Sequence, residues 1–270
     1  MELIEARSLF IRAGGFIRRG GFDWTCNPYV GCTFGCSYCY AMFLPQNDQP
    51  KEQWGKWLRA KENAVELARK TAHRVAGHAL YLSSVTDPYL PVERSLLLTR
   101  GILEALVPHQ PRLVVQTRGP LVVRDIDVLR QFHSLRVNLS IPTDDDEIRQ
   151  RFEPKAPALE KRWQAARELK EAGISVGICV TPMLPVRDID TFAERLIAFR
   201  PDVLVLQEFH QASGFGADTS QAARELAREF SWGSEGYRRC LERLRSQTTV
   251  YEGEEGFFPP SATASVVAST

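Results

Sequence analysis

The chain has 270 residues, 44% of them hydrophobic and 25% charged, with a formal net charge of +1. That balance suits a soluble globular protein and excludes a wholly basic nucleic-acid binder, though not a local basic patch. No apolar run is long enough to span a membrane, and residues 1–20 lack the basic-then-apolar order of a secretory signal, so the expected compartment is the cytoplasm.

The elements follow in chain order. Residues 1–20 read as an N-terminal extension, and a first strand is expected just before Cys32. A helix fits 56–75, where Leu58, Val65, Ala68 and Val75 fall near helical spacing. The apolar run 78–85 reads as a buried strand, followed by a helix near 93–107 and a strand at 112–117. A helix near 123–133 leads to a strand at 135–141. A helix near 158–172 ends at Gly173, a residue suited to a helix C-terminus. Then come a strand at 174–180, a helix near 188–199, a strand at 202–209 and a last helix near 219–246.

Strands that are apolar almost throughout, alternating with helices, imply an α/β fold with a parallel sheet and helices outside. Eight such units close a full barrel. About six are counted, which gives a partial (βα)6 TIM-type barrel as one domain over 21–246. Residues 247–270 are rich in small and polar residues and carry Pro259 and Pro260. They are expected to form a loosely ordered tail, with Phe257 and Phe258 as the residues able to dock. In such folds the chemistry gathers at the C-terminal ends of the strands.

One of those ends holds "GCTFGCSYCY", residues 31–40, with Cys32, Cys36 and Cys39. In a reducing compartment, clustered cysteines read as metal or redox ligands before disulfides. The first histidine in the chain is His73, and the nearest other cysteine is Cys26. A structural zinc normally takes four protein ligands, so it would have to recruit Cys26; buried structural thiols are a further alternative. A [4Fe–4S] cluster on three cysteines leaves one iron open to a small molecule, which accounts for the number three.

The C-x-x-x-C-x-x-C spacing, with Tyr38 before the last cysteine, resembles the signature of radical S-adenosylmethionine (SAM) enzymes. The longer stretches 27–41, 83–106 and 151–185 resemble the spore photoproduct lyase-like, or DNA repair photolyase-like, branch over roughly residues 20–210. The resemblance implies a partial barrel whose three cysteines hold a [4Fe–4S] cluster, with SAM chelating the fourth iron. An electron from a reductant such as ferredoxin or flavodoxin then cleaves SAM to methionine and a 5′-deoxyadenosyl radical, which abstracts hydrogen from substrate.

The resemblance also implies roles for single residues. Tyr38 would hold the SAM adenine, or simply pack. Thr86 and Asp87 would accept the SAM ammonium, a sensible charge pairing, or else cap the turn before Pro88. Ser140 would meet the ribose. Glu153 and Arg162 would orient the ribose or the SAM carboxylate, or form a surface ion pair. Thr181 and Met183 fall in the stretch that lines the adenine. Arg118 would bind a substrate phosphate or carboxylate, and Glu208 and His210 stand at the sixth strand end for substrate contact or acid–base work. One departure stands out: the lyases carry a hydrogen-donating cysteine where this chain has Ser84. Cys179, on the fifth strand, would be its replacement or an ordinary core residue. The substrate reads as a nucleic acid or nucleotide, with Arg94, Arg100, Arg118 and Arg124 as phosphate contacts, or as a peptide or small metabolite. A non-catalytic iron–sulfur or zinc protein is the alternative from another class.

Overall fold

A computed structural model describes residues 1–45, 47–209 and 219–261. The chain opens with β1 (Glu2–Ile4), β2 (Phe10–Arg12), α1 (Gly15–Arg19), β3 (Trp24–Cys26), β4 (Tyr29–Val30) and β5 (Arg59–Lys61). Next come α2 (Ala64–Thr71), β6 (Ala79–Leu82), α3 (Glu93–Leu96), α4 (Leu98–Leu106), β7 (Arg112–Thr117), α5 (Ile126–Leu129) and β8 (Leu135–Ser140). The last part holds α6 (Asp146–Phe152), α7 (Leu159–Glu171), β9 (Ser175–Val180), α8 (Ile189–Phe199), β10 (Val203–Leu206), α9 (Gln221–Glu229), α10 (Ser234–Arg245) and β11 (Tyr251–Glu252).

Eight strands make the main sheet, in the order β11-β10-β9-β8-β7-β6-β3-β2. From β3 to β11 every pairing is parallel; only β2 runs antiparallel, to β3. The six strands β3 and β6 to β10 are the six expected βα strands, laid side by side in sequence order. This is the open, partial (βα)6 barrel.

The alternation along each strand fixes its two faces. Leu80, Leu82, Leu113, Val115, Val137, Leu139, Val176, Ile178, Leu204 and Leu206 join the large core under the helices. Their neighbours Ala79, Tyr81, Val114, Cys179, Val203 and Val205 form a second cluster with Phe22 and Phe257 on the inner face. Burying each large aliphatic side chain contributes roughly 1.5–3 kcal/mol, so both faces hold the curved sheet in shape. No helix is long and apolar enough to cross a membrane among the described residues.

Several expected boundaries change. The helix expected over 56–75 starts later, because Leu58 and Ala60 alternate with Arg59 and Lys61 and the segment pairs as β5 with β1 and β4. The helix near 93–107 breaks at Leu97, which takes the left-handed φ of 53°. The helix near 123–133 is mostly a 3-10 turn, Pro120–Asp125, ahead of four α-helical residues. The last helix divides at Ser231 and Gly233 into α9 and α10. The helix ending before Gly173 and the one capped by Asp188 stand where expected.

Segments near both ends of the described residues pack into the fold. β1 and β2 of the N-terminal extension pair with β5 and β3. At the other end, the tail expected to be loose is docked as far as Ser261. β11 pairs with β10, the Phe257 ring packs edge-on against Phe16, and the Phe258 carbonyl accepts from Arg136. The physical reason is the unfilled inner face of an open barrel, which the two phenylalanines cover.

Candidate active site

A cavity of about 780 Å³ opens at the C-terminal ends of the strands. Cys32, Cys36 and Cys39 line one part of it, with Tyr38, Tyr40 and Trp54. Ser83, Ser84, Thr86, Asp87, Gln116, Thr117, Arg118, Ser140 and Thr181 add polar groups to its wall, and Phe16, Ile17, Leu44, Val85 and Phe257 add apolar ones.

The cysteine loop takes its shape from close backbone approach. Gly31 and Gly35 have φ of +81° and +66°. A Cβ on Gly31 would lie 2.6 Å from the Trp57 ring, and one on Gly35 would lie 3.1 Å from the Gly55 Cα. A side chain at either position would push the loop off the 54–57 segment beneath it. Further ties come from Ser37, whose N–H donates to the Phe152 carbonyl at 2.8 Å, and from the Thr86 hydroxyl, which donates to the Gly31 carbonyl at 2.6 Å.

Burial pushes the Cys32 and Cys39 thiols up to about 12 and raises Cys36 as well. Thiolates there need a cation nearby, and a bound metal supplies one. The Arg118 guanidinium already lies 3.0 Å from the Cys36 sulfur. Among the described residues no three His, Cys, Asp or Glu side chains are gathered closely enough to hold a single ion. The three cysteines instead line one open cavity, which leaves room for a multi-iron cluster rather than a single ion. Cys26, the fourth ligand a zinc would need, sits fully buried on β3 in the core under the helices. Two buried polar atoms of the cavity residues, Trp54 Nε1 and Ser83 Oγ, have no hydrogen-bond partner among the described residues. The thiols, the space and these unused polar atoms fit an iron–sulfur cluster with a small polar ligand beside it.

The other sequence candidates separate into wall and support. Tyr38 lines the cavity; its hydroxyl donates to Glu153 and accepts from Arg118 Nη1 at 2.8 Å. Glu153, at the end of α6, is fully buried behind that wall and takes both Arg118 and Arg162. Burial alone would raise its carboxyl; the two guanidiniums hold it below its ordinary value of 4.5. Arg162 is no surface residue: it is fully buried and also donates to the Ser140 carbonyl at 3.0 Å. Glu153 and Arg162 therefore stand one layer back from the cavity they were expected to line.

Asp87 lines the cavity, yet its carboxylate already accepts from Tyr89 N–H, the Thr117 hydroxyl and Arg118 N–H at 2.9, 2.7 and 2.9 Å. It organises the loop, and burial raises its carboxyl above the usual range. The Ser140 hydroxyl accepts from Gln116 Nε2 at 3.0 Å. Thr181 reaches the wall, whereas Met183 is fully buried and serves through its backbone, donating to the Gln207 carbonyl at 2.7 Å. Cys179 points to the inner face of the barrel, its sulfur 3.8 Å from Gln116 Oε1, so Gln116 rather than Cys179 meets the cavity. His210 lies outside the described residues. Sequence reasoning missed Tyr40, Trp54 and Gln116. Gln116, a polar residue in the apolar run "RLVVQT", was a legible signal; Trp54 lay in a loop without one.

A profile of the Radical SAM superfamily matches residues 26–196. The uncharacterized protein MJ0683 of Methanocaldococcus jannaschii is 36% identical over 165 residues, which is 61% of this chain and 62% of that one. The radical SAM Nalpha-GlyT isomerase of Pseudomonas phage M6 is 28% identical over 58% of this chain and 32% of its own. The chain thus matches less than two thirds of the length of these relatives. Among solved structures, spore photoproduct lyase complexed with dinucleoside spore photoproduct superposes with a TM-score of 0.63, covering 93% of this chain and 81% of that one at 16% identity. The methyltransferase TsrM of Kitasatospora setae, at 14% identity, gives 0.56 over 95% of this chain and 60% of that one. The profile covers well over half of the chain, and the cysteine-lined mouth lies within it: the chain belongs to the radical SAM superfamily.

Proposed function

We propose that this enzyme reductively cleaves SAM at a [4Fe–4S] cluster held by Cys32, Cys36 and Cys39 and abstracts hydrogen from a nucleic acid or nucleotide. The carrying observation is that Cys32, Cys36 and Cys39 line one cavity together with polar groups from the neighbouring strand ends. Bound there, cluster and SAM supply a one-electron cleavage that yields a carbon radical.

The chain's own residues bind and orient. Thr86 fixes the cysteine loop to the end of β6. Asp87 holds the backbone of Tyr89 and Arg118 and keeps a carboxylate on the cavity wall for an ammonium. Arg118 places positive charge beside Cys36 and beside the space for a carboxylate, and Glu153 with Arg162 keeps it there. Ser140, Gln116 and Thr181 offer hydroxyl and amide groups for a ribose or base. Ser84, where the related lyases carry a cysteine, lines the cavity, and its carbonyl accepts from the Tyr40 hydroxyl at 2.5 Å. The nucleic-acid assignment is supported by spore photoproduct lyase, which was solved with a dinucleoside photoproduct.

Anaerobic reconstitution tests the chemistry. About four irons with sulfide should bind per chain, and SAM with dithionite should give 5′-deoxyadenosine, absent in Cys36→Ala. No 5′-deoxyadenosine above that control, or one zinc in place of iron, would overturn the proposal. The substrate class is tested by binding: a steep loss of oligonucleotide affinity with salt is expected, and a flat response removes nucleic acid.

A further inference from the structure

We infer that Lys51, Lys56 and Lys155 form the docking face for a small acidic electron-carrier protein. The carrier is oxidised there by one electron, which the cluster gains and SAM cleavage consumes. The inference rests on the reading above, that Cys32, Cys36 and Cys39 hold a [4Fe–4S] cluster.

The segment 54–57 lies directly against the cysteine loop. The backbones of Gly55 and Gly35 touch: a Cβ on Gly55 would lie 2.6 Å from the Gly35 Cα, and the Trp57 ring closes on Gly31. Gly35 and Gly31 immediately precede Cys36 and Cys32. Lys155 joins the two layers, since its N–H donates to the Phe34 carbonyl at 3.3 Å and its ammonium to the Gly55 carbonyl at 2.7 Å. The 3-10 turn Lys51–Gln53 leads into the segment; Trp54 N–H donates to the Lys51 carbonyl at 3.0 Å and Lys56 N–H to the Gln53 carbonyl at 2.9 Å. This outer layer meets solvent: Lys51, Glu52, Gln53, Lys56 and Lys155 are exposed, and Trp54 and Trp57 are half-buried. Electron transfer slows steeply with distance. A carrier is best placed where one layer of backbone separates solvent from the cysteine loop.

The charge of this face selects the partner. Arg59 is taken up by Glu2 and Asp48. Lys51, Lys56 and Lys155 pair with no carboxylate among the described residues; Lys51 instead lies 4.3 Å from the centroid of the Phe43 ring. Glu52 is the acid of this stretch left without a cation among the described residues, so the lysines outnumber it. The whole chain carries a net charge of only +1, so this excess is local. Free ammonium groups around two half-buried indoles supply a charged rim and an apolar centre, the make-up of a transient protein interface. Such a face attracts an acidic surface and sets its orientation, chiefly through the rate of encounter.

The first test needs neither a variant nor turnover. Carbodiimide cross-linking of the reconstituted protein to oxidised flavodoxin, followed by peptide mapping, should join flavodoxin carboxylates to Lys51, Lys56 or Lys155, and the yield should fall as salt rises. Cross-links confined to other lysines would overturn the inference. The second test is Lys56→Glu. With reduced flavodoxin as donor, its 5′-deoxyadenosine formation should fall by about tenfold at low salt. With dithionite, which needs no docking face, it should match the parent. Equal flavodoxin-driven rates would overturn the inference. So would a Lys56→Glu protein that binds flavodoxin like the parent but loses affinity for a single-stranded oligonucleotide, because the face would then serve nucleic acid. A parent that forms no 5′-deoxyadenosine with dithionite would instead sink the underlying reading, and the cross-linking map would still judge the docking face.

Discussion

Arg118 and Arg124 leave the same strand end, six residues apart, and both pair with fully buried carboxylates. Their surroundings differ. Arg124 shares Asp125 with Arg100 and reaches Glu93, whose carboxylate also takes the Tyr29 hydroxyl and the Thr99 N–H. That network closes on protein groups and ties α3 and α4 to α5 and β4. Arg118 shares Glu153 with Arg162, but its guanidinium also reaches the Cys36 sulfur and the Tyr38 hydroxyl on the cavity wall. One network holds the frame and the other faces the site. The expectation that Arg100 and Arg124 contact substrate phosphates is therefore corrected: carboxylates already occupy both. Arg94 is exposed.

The sharpest way to break this contrast is to delete each shared carboxylate. Glu153→Ala strands the fully buried Arg162 guanidinium and should lose about 3–5 kcal/mol in denaturant unfolding, whereas Asp125→Ala leaves the half-buried Arg100 and Arg124 on Asp127 and Glu93 and should lose less. Only Glu153→Ala should also lose SAM cleavage per folded molecule. Equal activity in the two variants would erase the distinction. A milder test is Arg118→Lys, which keeps the charge but not the planar fork. Losing hydrogen bonds to charged groups worth about 1.5–3 kcal/mol predicts a fall of roughly 10–100-fold in 5′-deoxyadenosine formation. Arg124→Lys should leave turnover unchanged while lowering the melting temperature.

The acid limb of stability gives a third test. Glu153 is held below 4.5 in the folded protein, so its contribution is present above pH 4.5 and is lost as the pH falls below it. Glu153→Gln should be less stable at neutral pH and should flatten the loss of stability below pH 4.5. An unchanged acid limb would mean that the two arginines do not depress this carboxyl. The smallest effect is expected at Ser83, which holds a left-handed φ of 70° with its hydroxyl unpartnered beside the cavity. Ser83→Gly should raise stability by up to about 1 kcal/mol by relieving that conformation. It should also weaken SAM binding; unaltered affinity in a titration would assign the hydroxyl no part in the site.

Much of this molecule was legible before its structure. Periodicity marked the strands, because a parallel strand covered on both faces must be apolar throughout. The cysteine spacing marked the centre, because three thiols within residues 32–39 are held near one another by a single short loop. Helix ends at Gly173 and Asp188 were legible for a local reason: a left-handed glycine and a capping carboxylate act within a few residues.

Other features were set only by distant parts of the chain. Arg59–Lys61 falls inside the helix expected over 56–75, and β1 and β4 draw it into a sheet. Arg162 read as a contact for the ribose or the SAM carboxylate, or as a surface ion partner, and is buried against Glu153 and the Ser140 carbonyl. Phe257 and Phe258 lie in a tail of weak local preference and are held by the open inner face of the barrel. Periodicity, capping and ligand spacing are short-range properties, so the sequence alone determined the βα order and the cysteine centre. Which charges face the cavity, and which donors there lack a partner, depends on segments far apart in the chain meeting in space, and only the tertiary structure decided that.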